Sequence, residues 1–210
     1  VMVREILAAF RQPARLFARP ELIANRSLIP AAPGIYGWFF NEMPHPDLPG
    51  VRTRFDEWSL LYIGIAPGRA GSNSNLRTRI NTHLRATARR STLRLTLGSL
   101  LKERLGLQPL PASGKISFGS GEIGISNWLD AYARIAWVEC PEPWEVEAEV
   151  VRALGVPLNR AHNQAHPFYP TLGELRRASR VQAPRPPQSD LASPSPSAVP
   201  AAQRLECRDA

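Results

Sequence analysis

Residues 32–40 (APGIYGWFF) and 60–66 (LLYIGIA) are short β-branched and aromatic runs closed off by Pro and Gly, which predicts two strands. With a period of two, Tyr36, Trp38 and Phe40 share one face of the first strand, and Leu60, Tyr62 and Gly64 share one face of the second. Residues 134–140, carrying Ile, Trp and Val, predict a third core strand. Elsewhere the apolar spacing lengthens to that of helices. Residues 1–30 predict one or two short helices, interrupted by Pro13 and ended near Pro20 and Pro30, with Val3, Ile6, Leu7 and Phe10 as a packing face. Asn75 is a fitting N-cap for a helix whose core face is Leu76, Ile80 and Leu84; Arg79 and His83, also four apart, lie together on a neighbouring face.

Residues 91–105 predict a further helix with a leucine stripe at 93, 97, 100, 101 and 105, stopped by Gly106. Ile116 and Phe118, then Ile123 and Ile125, flank Gly119-Ser120-Gly121 and suggest a hairpin, followed by a short helix over 125–133. Pro143 can open a helix running to about Leu154. Thr171 with Glu174 reads as a capping box for a last helix to about Arg180. The connection over 41–58 is longer than a hairpin needs. From Gln182 on, Pro, Ser and Ala with almost no large apolar residue predict a disordered tail. The result is a mixed α/β (α+β) fold, with a helical extension (1–30), a core domain (31–180) carrying an insertion (91–133), and a tail (181–210).

Charge sharpens this picture. The net charge is +8 and the pI about 10.4, which makes a polyanion a natural partner. Only Lys102 and Lys115 are lysines, and arginine is the better bidentate phosphate ligand. From Leu76 to Lys115 nine basic residues face the single acid Glu103, more one-sided than an ordinary solvated face. Arg77, Arg85, Arg89 and Arg90 are therefore the expected nucleic-acid contacts. Two distant cysteines, Cys140 and Cys207, speak against a disulfide framework or a Cys-rich zinc site. No apolar run reaches the roughly 18 to 20 residues of a membrane span. The Arg-rich N-terminus has a superficial likeness to a transit segment, but its apolar face reads better as packing. A cytoplasmic location is the expectation.

One carboxylate stands out. On a wheel of 100° per residue, Val146, Val150, Val151, Ala153 and Leu154 form one arc, and Glu147 falls inside it, whereas Glu145 and Glu149 fall outside. A carboxylate on an apolar face is costly unless it is paired or metal-bound. A buried ion pair with an arginine and a functional role both satisfy that requirement. His162 and His166 are four apart like a zinc pair, but no Glu follows His162 and Pro167 comes directly after His166, so a zinc site is not expected. Residues 67–75 lack the spacings of a P-loop or a dinucleotide fingerprint and read as a flexible loop.

The tripeptides Gly34-Ile35-Tyr36 and Tyr62-Ile63-Gly64 resemble the signature of the GIY-YIG nuclease family. Arg79 in the next helix, a third strand at 134–140, Glu147 in the helix after it and Asn159 beyond Pro157 follow in the family's order. The resemblance covers residues 32–160. It implies a three-stranded antiparallel sheet flanked by helices and metal-assisted hydrolysis of DNA. Glu147 would hold Mg²⁺ or Mn²⁺, and Arg79 would brace the phosphate. Tyr36 would orient the water, its pKa lowered by nearby cations. Tyr62 and His83 would contact the phosphate or relay protons, and Asn159 would lock Tyr36 or the loop. Ile65 stands where many members carry lysine, a departure for which His83 could compensate. A non-catalytic nucleic-acid-binding module on the same scaffold is the alternative. An interaction protein recruited through the Pro-rich tail is a third.

Overall fold

A strand buried at every position belongs in the middle of a sheet with a layer on each face, and Gly34–Phe40 is such a strand. The computed structural model describes residues 3–48, 54, 55, 57–113 and 115–182. In chain order the elements are α1 (Val3–Arg11), β1 (Phe17–Ala18), α2 (Arg19–Ala24), β2 (Gly34–Phe40), β3 (Arg54–Phe55), β4 (Trp58–Ala66), α3 (Leu76–Leu84), α4 (Thr92–Leu100), α5 (Lys102–Leu105), β5 (Leu110–Ala112), β6 (Lys115–Ser117), α6 (Glu122–Tyr132), β7 (Ala133–Glu139), α7 (Pro143–Leu154) and α8 (Tyr169–Gln182). The fold is mixed α+β. The expected disordered tail lies, from residue 183, outside the described residues, as does the middle of the 41–58 connection.

The main sheet has the order β1-β7-β2-β4-β3, every neighbouring pair antiparallel. Its three central strands are the three expected ones; the two-residue strands β1 and β3 extend it to five. The register sets Tyr36 opposite Gly64 on one side and Trp137 on the other. A bulge in β4 lets Trp38 pair with Tyr62 and Phe39 with Leu60, leaving Leu61 as the extra residue. Leu60 is consequently turned away from Tyr62, contrary to a strict period of two. It packs with Ile35, Phe39 and Ile63, while Leu61 joins Tyr36, Trp38 and Tyr62.

Each face of the sheet carries a core. Ile6 and Phe10 of α1 and Val150, Val151 and Leu154 of α7 cover one; α3, α4, α6 and α8 cover the other. The N-terminal residues thus pack into the body of the fold. Pro20 lies in the first turn of α2 rather than ending a helix, consistent with the tolerance of that turn for proline. Arg19 is buried and donates from Nε and Nη2 to the Leu84 carbonyl at 3.2 and 2.9 Å, and from Nη1 to Asp130 at 2.6 Å. That clamp closes the C-terminal end of α3, where a cation also suits the helix dipole.

The insertion differs from expectation in its details. The helix over 91–105 is broken at Leu101 into α4 and α5, and Gly106, at φ +59°, ends the second piece. The hairpin is formed by β5 and β6, not across Gly119-Ser120-Gly121, which is a 3₁₀ turn leading into α6. Ser113, at φ +49°, makes the actual turn. Helix α8 begins at Tyr169, so Thr171 sits inside its first turn rather than capping it. No described helix is long and apolar enough to cross a membrane.

Candidate active site

Four elements deliver four polar side chains to one cleft of about 350 Å³. β2 brings Tyr36, β4 brings Tyr62 and Gly64, α3 brings Arg79 and α7 brings Glu147; Ser74, Ile65 and Gly68 complete the lining. The two tyrosines sit diagonally across the β2/β4 ladder, with ring centres 6.4 Å apart. Gly64 is what lets Tyr36 lie there. A Cβ at Gly64 would overlap Tyr36 Oη and Cζ and come to 2.9 Å of Cε1. Gly64→Ala is therefore expected to cost about 1–3 kcal/mol of stability through overpacking, read by urea unfolding, and to displace the Tyr36 hydroxyl. Unchanged stability would mean that the ring moves freely.

Tyr36 Oη is 2.7 Å from His83 Nε2, and His83 Nδ1 is 2.7 Å from Ser91 Oγ. Ser91 caps α4 and accepts from the Arg94 N–H at 3.0 Å. His83 is fully buried, so it stands behind Tyr36 rather than in the cleft. Ile65, in contrast, lines the cleft. Burial first, then the charges of Arg79 and Arg94, pushes the His83 pKa down to about 3. Burial, reinforced by Tyr62 and opposed by Arg79, holds the Tyr36 pKa well above its usual value. The expectation that nearby cations lower it is thus corrected: Arg79 acts in that direction and loses to desolvation. Burial works against the Arg79 charge, but the two phenols outweigh it and raise its pKa.

The His83 shift has a stability consequence. Unfolded chains take up a proton near pH 6.5, while the folded imidazole refuses it until about pH 3. Stability is therefore fully present above about 6.5 and falls toward 3, with a slope of up to about 1.4 kcal/mol per pH unit. Urea unfolding between pH 4.5 and 6.5 is expected to lose that part of the slope in His83→Asn. Identical slopes in both proteins would contradict a neutral buried His83.

Glu147 is half-buried, its side chain 23% exposed, and burial raises its pKa against the opposing charges of His162 and Arg79. His162 Nε2 lies 3.8 Å from Glu147 Oε2. His166 Nδ1 accepts from the Phe168 N–H at 3.1 Å. Among the described residues no three His, Cys, Asp or Glu gather as a metal cage. A single carboxylate facing an open cleft suits a hard divalent ion that keeps waters and takes substrate oxygens.

Asn159 does not touch Tyr36. Its Oδ1 accepts from the Ile63 N–H and its Nδ2 donates to the Ile63 carbonyl, both at 2.8 Å. The reason lies in the sheet: among the described residues β3 pairs with Ser59 and Trp58 alone, and the outer edge of β4 beyond them takes its hydrogen bonds from elsewhere. Leu158 N–H on the Leu61 carbonyl, at 3.0 Å, and the Asn159 amide fill that edge.

The basic stretch is less one-sided in space than in sequence. Arg85, Arg89 and Arg90 are exposed, but Arg77 is half-buried and donates to the Ile29 carbonyl at 2.6 Å. Arg94 is wholly buried against Glu122, and Arg104 pairs with Glu42 at 2.9 Å. A larger cavity of about 490 Å³ contains that last pair; its charge is internally compensated, and it is separate from the Tyr36–Glu147 cleft. Sequence reasoning missed Ser91, which orients His83, and a group of arginines around α8 described below.

A family model described as the GIY-YIG catalytic domain matches residues 34–178. No curated protein and no solved structure matches the chain. That match spans more than half of the chain and takes in every residue lining the cleft, so the chain belongs to the GIY-YIG nuclease family.

Proposed function

We propose that this protein is a divalent-metal-dependent endonuclease that hydrolyses DNA phosphodiester bonds. The observation that carries the reading is the convergence of Tyr36, Tyr62, Arg79 and Glu147 on one cleft from four separate elements. Glu147 would hold Mg²⁺ or Mn²⁺, since it is the one carboxylate among the described residues that line the cleft. When bound, such an ion neutralises charge developing at the phosphate and the leaving oxygen. Arg79 presents an always-charged fork to the same phosphate. Tyr62, at 3.3 Å from Thr92 Oγ1, offers a second contact to it.

Tyr36 orients the attacking water. A neutral imidazole has one donor and one acceptor nitrogen, and His83 uses both ring nitrogens, on Tyr36 and Ser91. With Nε2 as acceptor, the Tyr36 hydroxyl donates inward, and its oxygen, held also by Arg79 and Tyr62, turns a lone pair toward the cleft for the water. Neither group is tuned to store charge near neutral pH, so the Tyr36–His83–Ser91 chain serves to fix an orientation.

The test is incubation of plasmid, branched, flapped and single-stranded DNA, with RNA alongside, in Mg²⁺ or Mn²⁺ and then in chelator. Metal-dependent cleavage of at least one DNA is expected. Salt-sensitive binding without any cleavage would favour the non-catalytic module instead.

A further inference from the structure

We infer that Arg160, Arg176 and Arg180 form an anion site beside the cleft that takes a second backbone phosphate of the nucleic acid, an inference resting on the nuclease reading above. Positions 169, 173, 176 and 180 of α8 follow a 4-3-4 spacing and fall within about 60° of one another around the helix. Arg160, from the turn after α7, lies across that face. Its guanidinium carbon is 4.7 Å from the Tyr169 ring centre. A Cβ at Gly173 would come to 3.3 Å of its Nη2 and 3.5 Å of its Cζ. Glycine is unfavourable inside a helix, and here it leaves room for this arginine to lie down beside Arg176 and Arg180.

No carboxylate among the described residues compensates the charges so gathered. Among the described residues, none of the three arginines has an ion-pair partner. The Nε of both Arg160 and Arg176 is buried without a hydrogen-bond partner. Glu174, the one acid of α8, is exposed and about 160° around the helix from Arg176. Arg160 directly follows Asn159, whose amide is held on Ile63 next to Tyr62, and this sets the cluster near the cleft; burial lowers the Arg176 pKa, and Arg160 and Arg180 lower it further. The carbonyl end of α8 accounts for a cation at Arg180. It does not account for Arg176, more than a turn earlier, or for Arg160, which is not on the helix. Half-buried guanidinium groups without carboxylates are matched by phosphate, whose oxygens fit their planar forks.

The test is binding of a labelled DNA duplex to the full chain in chelator, by fluorescence anisotropy over a series of salt concentrations. Arg176→Met and Arg160→Met keep most of the apolar stem and remove the charge. Each is expected to weaken binding to unrelated sequences alike and to reduce the log–log salt slope by about 0.9. Arg177→Met, exposed on the same helix, is expected to keep the wild-type slope, and Arg176→Lys to restore it. Arg176→Met should melt at or above the wild-type temperature, because the repulsion from Arg160 and Arg180 is removed; Arg160→Met also loses its stacking on Tyr169 and is read by the slope. Wild-type slopes in both Met variants, or an equal fall in Arg177→Met, would overturn the site. Cleavage with unchanged slopes would remove this inference and keep the nuclease; reduced slopes without cleavage by the wild type would do the opposite. Absence of duplex binding by the wild type would remove the site as a DNA contact.

Discussion

Glu147→Gln is expected to lower metal-dependent DNA cleavage by about 10³-fold or more, equivalent to at least about 4 kcal/mol of transition-state stabilisation. Among the described residues lining the cleft Glu147 is the only carboxylate, so among them the charge that would hold a divalent ion has no second source. The side chains at 145 and 149 are exposed or turned away, and the glutamine keeps the shape of the wall. Stability is expected to move the other way. Burial raises the Glu147 pKa, which means that the ionised form disfavours the fold at neutral pH. Removing that charge should raise the melting temperature at pH 7, and the difference should shrink once the pH falls below the raised pKa and vanish below the ordinary carboxyl value of 4.5. Loss of cleavage together with equal or higher stability separates a site residue from a structural one. Cleavage that survives in Glu147→Gln would place the metal elsewhere.

The same residue marks how far the sequence carries. Glu147 is legible because an α-helix has a fixed period and one acid broke its apolar arc. Tyr36 and Tyr62 are legible because short strands alternate. The Leu60 face was not, since a bulge has no signature in an apolar run where Leu60 and Leu61 look alike. His83 lies on the same helix as Arg79, as its spacing predicts, yet its direction, inward behind Tyr36, depends on Ser91, the first residue of the insertion. Asn159 illustrates the limit of order alone: the residue is where the resemblance puts it, but its partner is a strand edge defined by pairing that only tertiary structure creates. The run of positive charge from 76 to 115 misleads for a similar reason. Arg94 is compensated by Glu122, a residue beyond the end of that window. The arginines at 160 and 176 are separated by a proline-containing turn, and only folding brings them together. A glycine inside a helical pattern, Gly173, was the one available hint.

Glu122→Ala is expected to destabilise the fold by about 3–5 kcal/mol, measured by urea unfolding at pH 7, because it leaves a wholly buried guanidinium unpaired. Arg94 is 0% exposed and donates to Glu122 Oε2 from Nε at 3.2 Å and from Nη2 at 3.0 Å. The other carboxylate oxygen accepts from the Ala88 N–H at 2.7 Å and the Phe118 N–H at 3.3 Å. The substitution thus strands one charge and two backbone donors in a place water does not reach. Arg94→Met combined with Glu122→Leu removes both charges and should recover part of the loss, the remainder being those two donors. The effect reaches the cleft by a short path. Arg94 donates its N–H to Ser91 Oγ, Ser91 holds His83, and His83 holds the Tyr36 hydroxyl. Glu122→Gln keeps an acceptor for the backbone donors and loses the charge. It should remain folded at 25 °C with cleavage reduced by roughly tenfold, while DNA binding in chelator is unchanged. Wild-type cleavage in a measurably destabilised Glu122→Gln would uncouple the insertion from Tyr36 and make the buried pair a matter of folding alone.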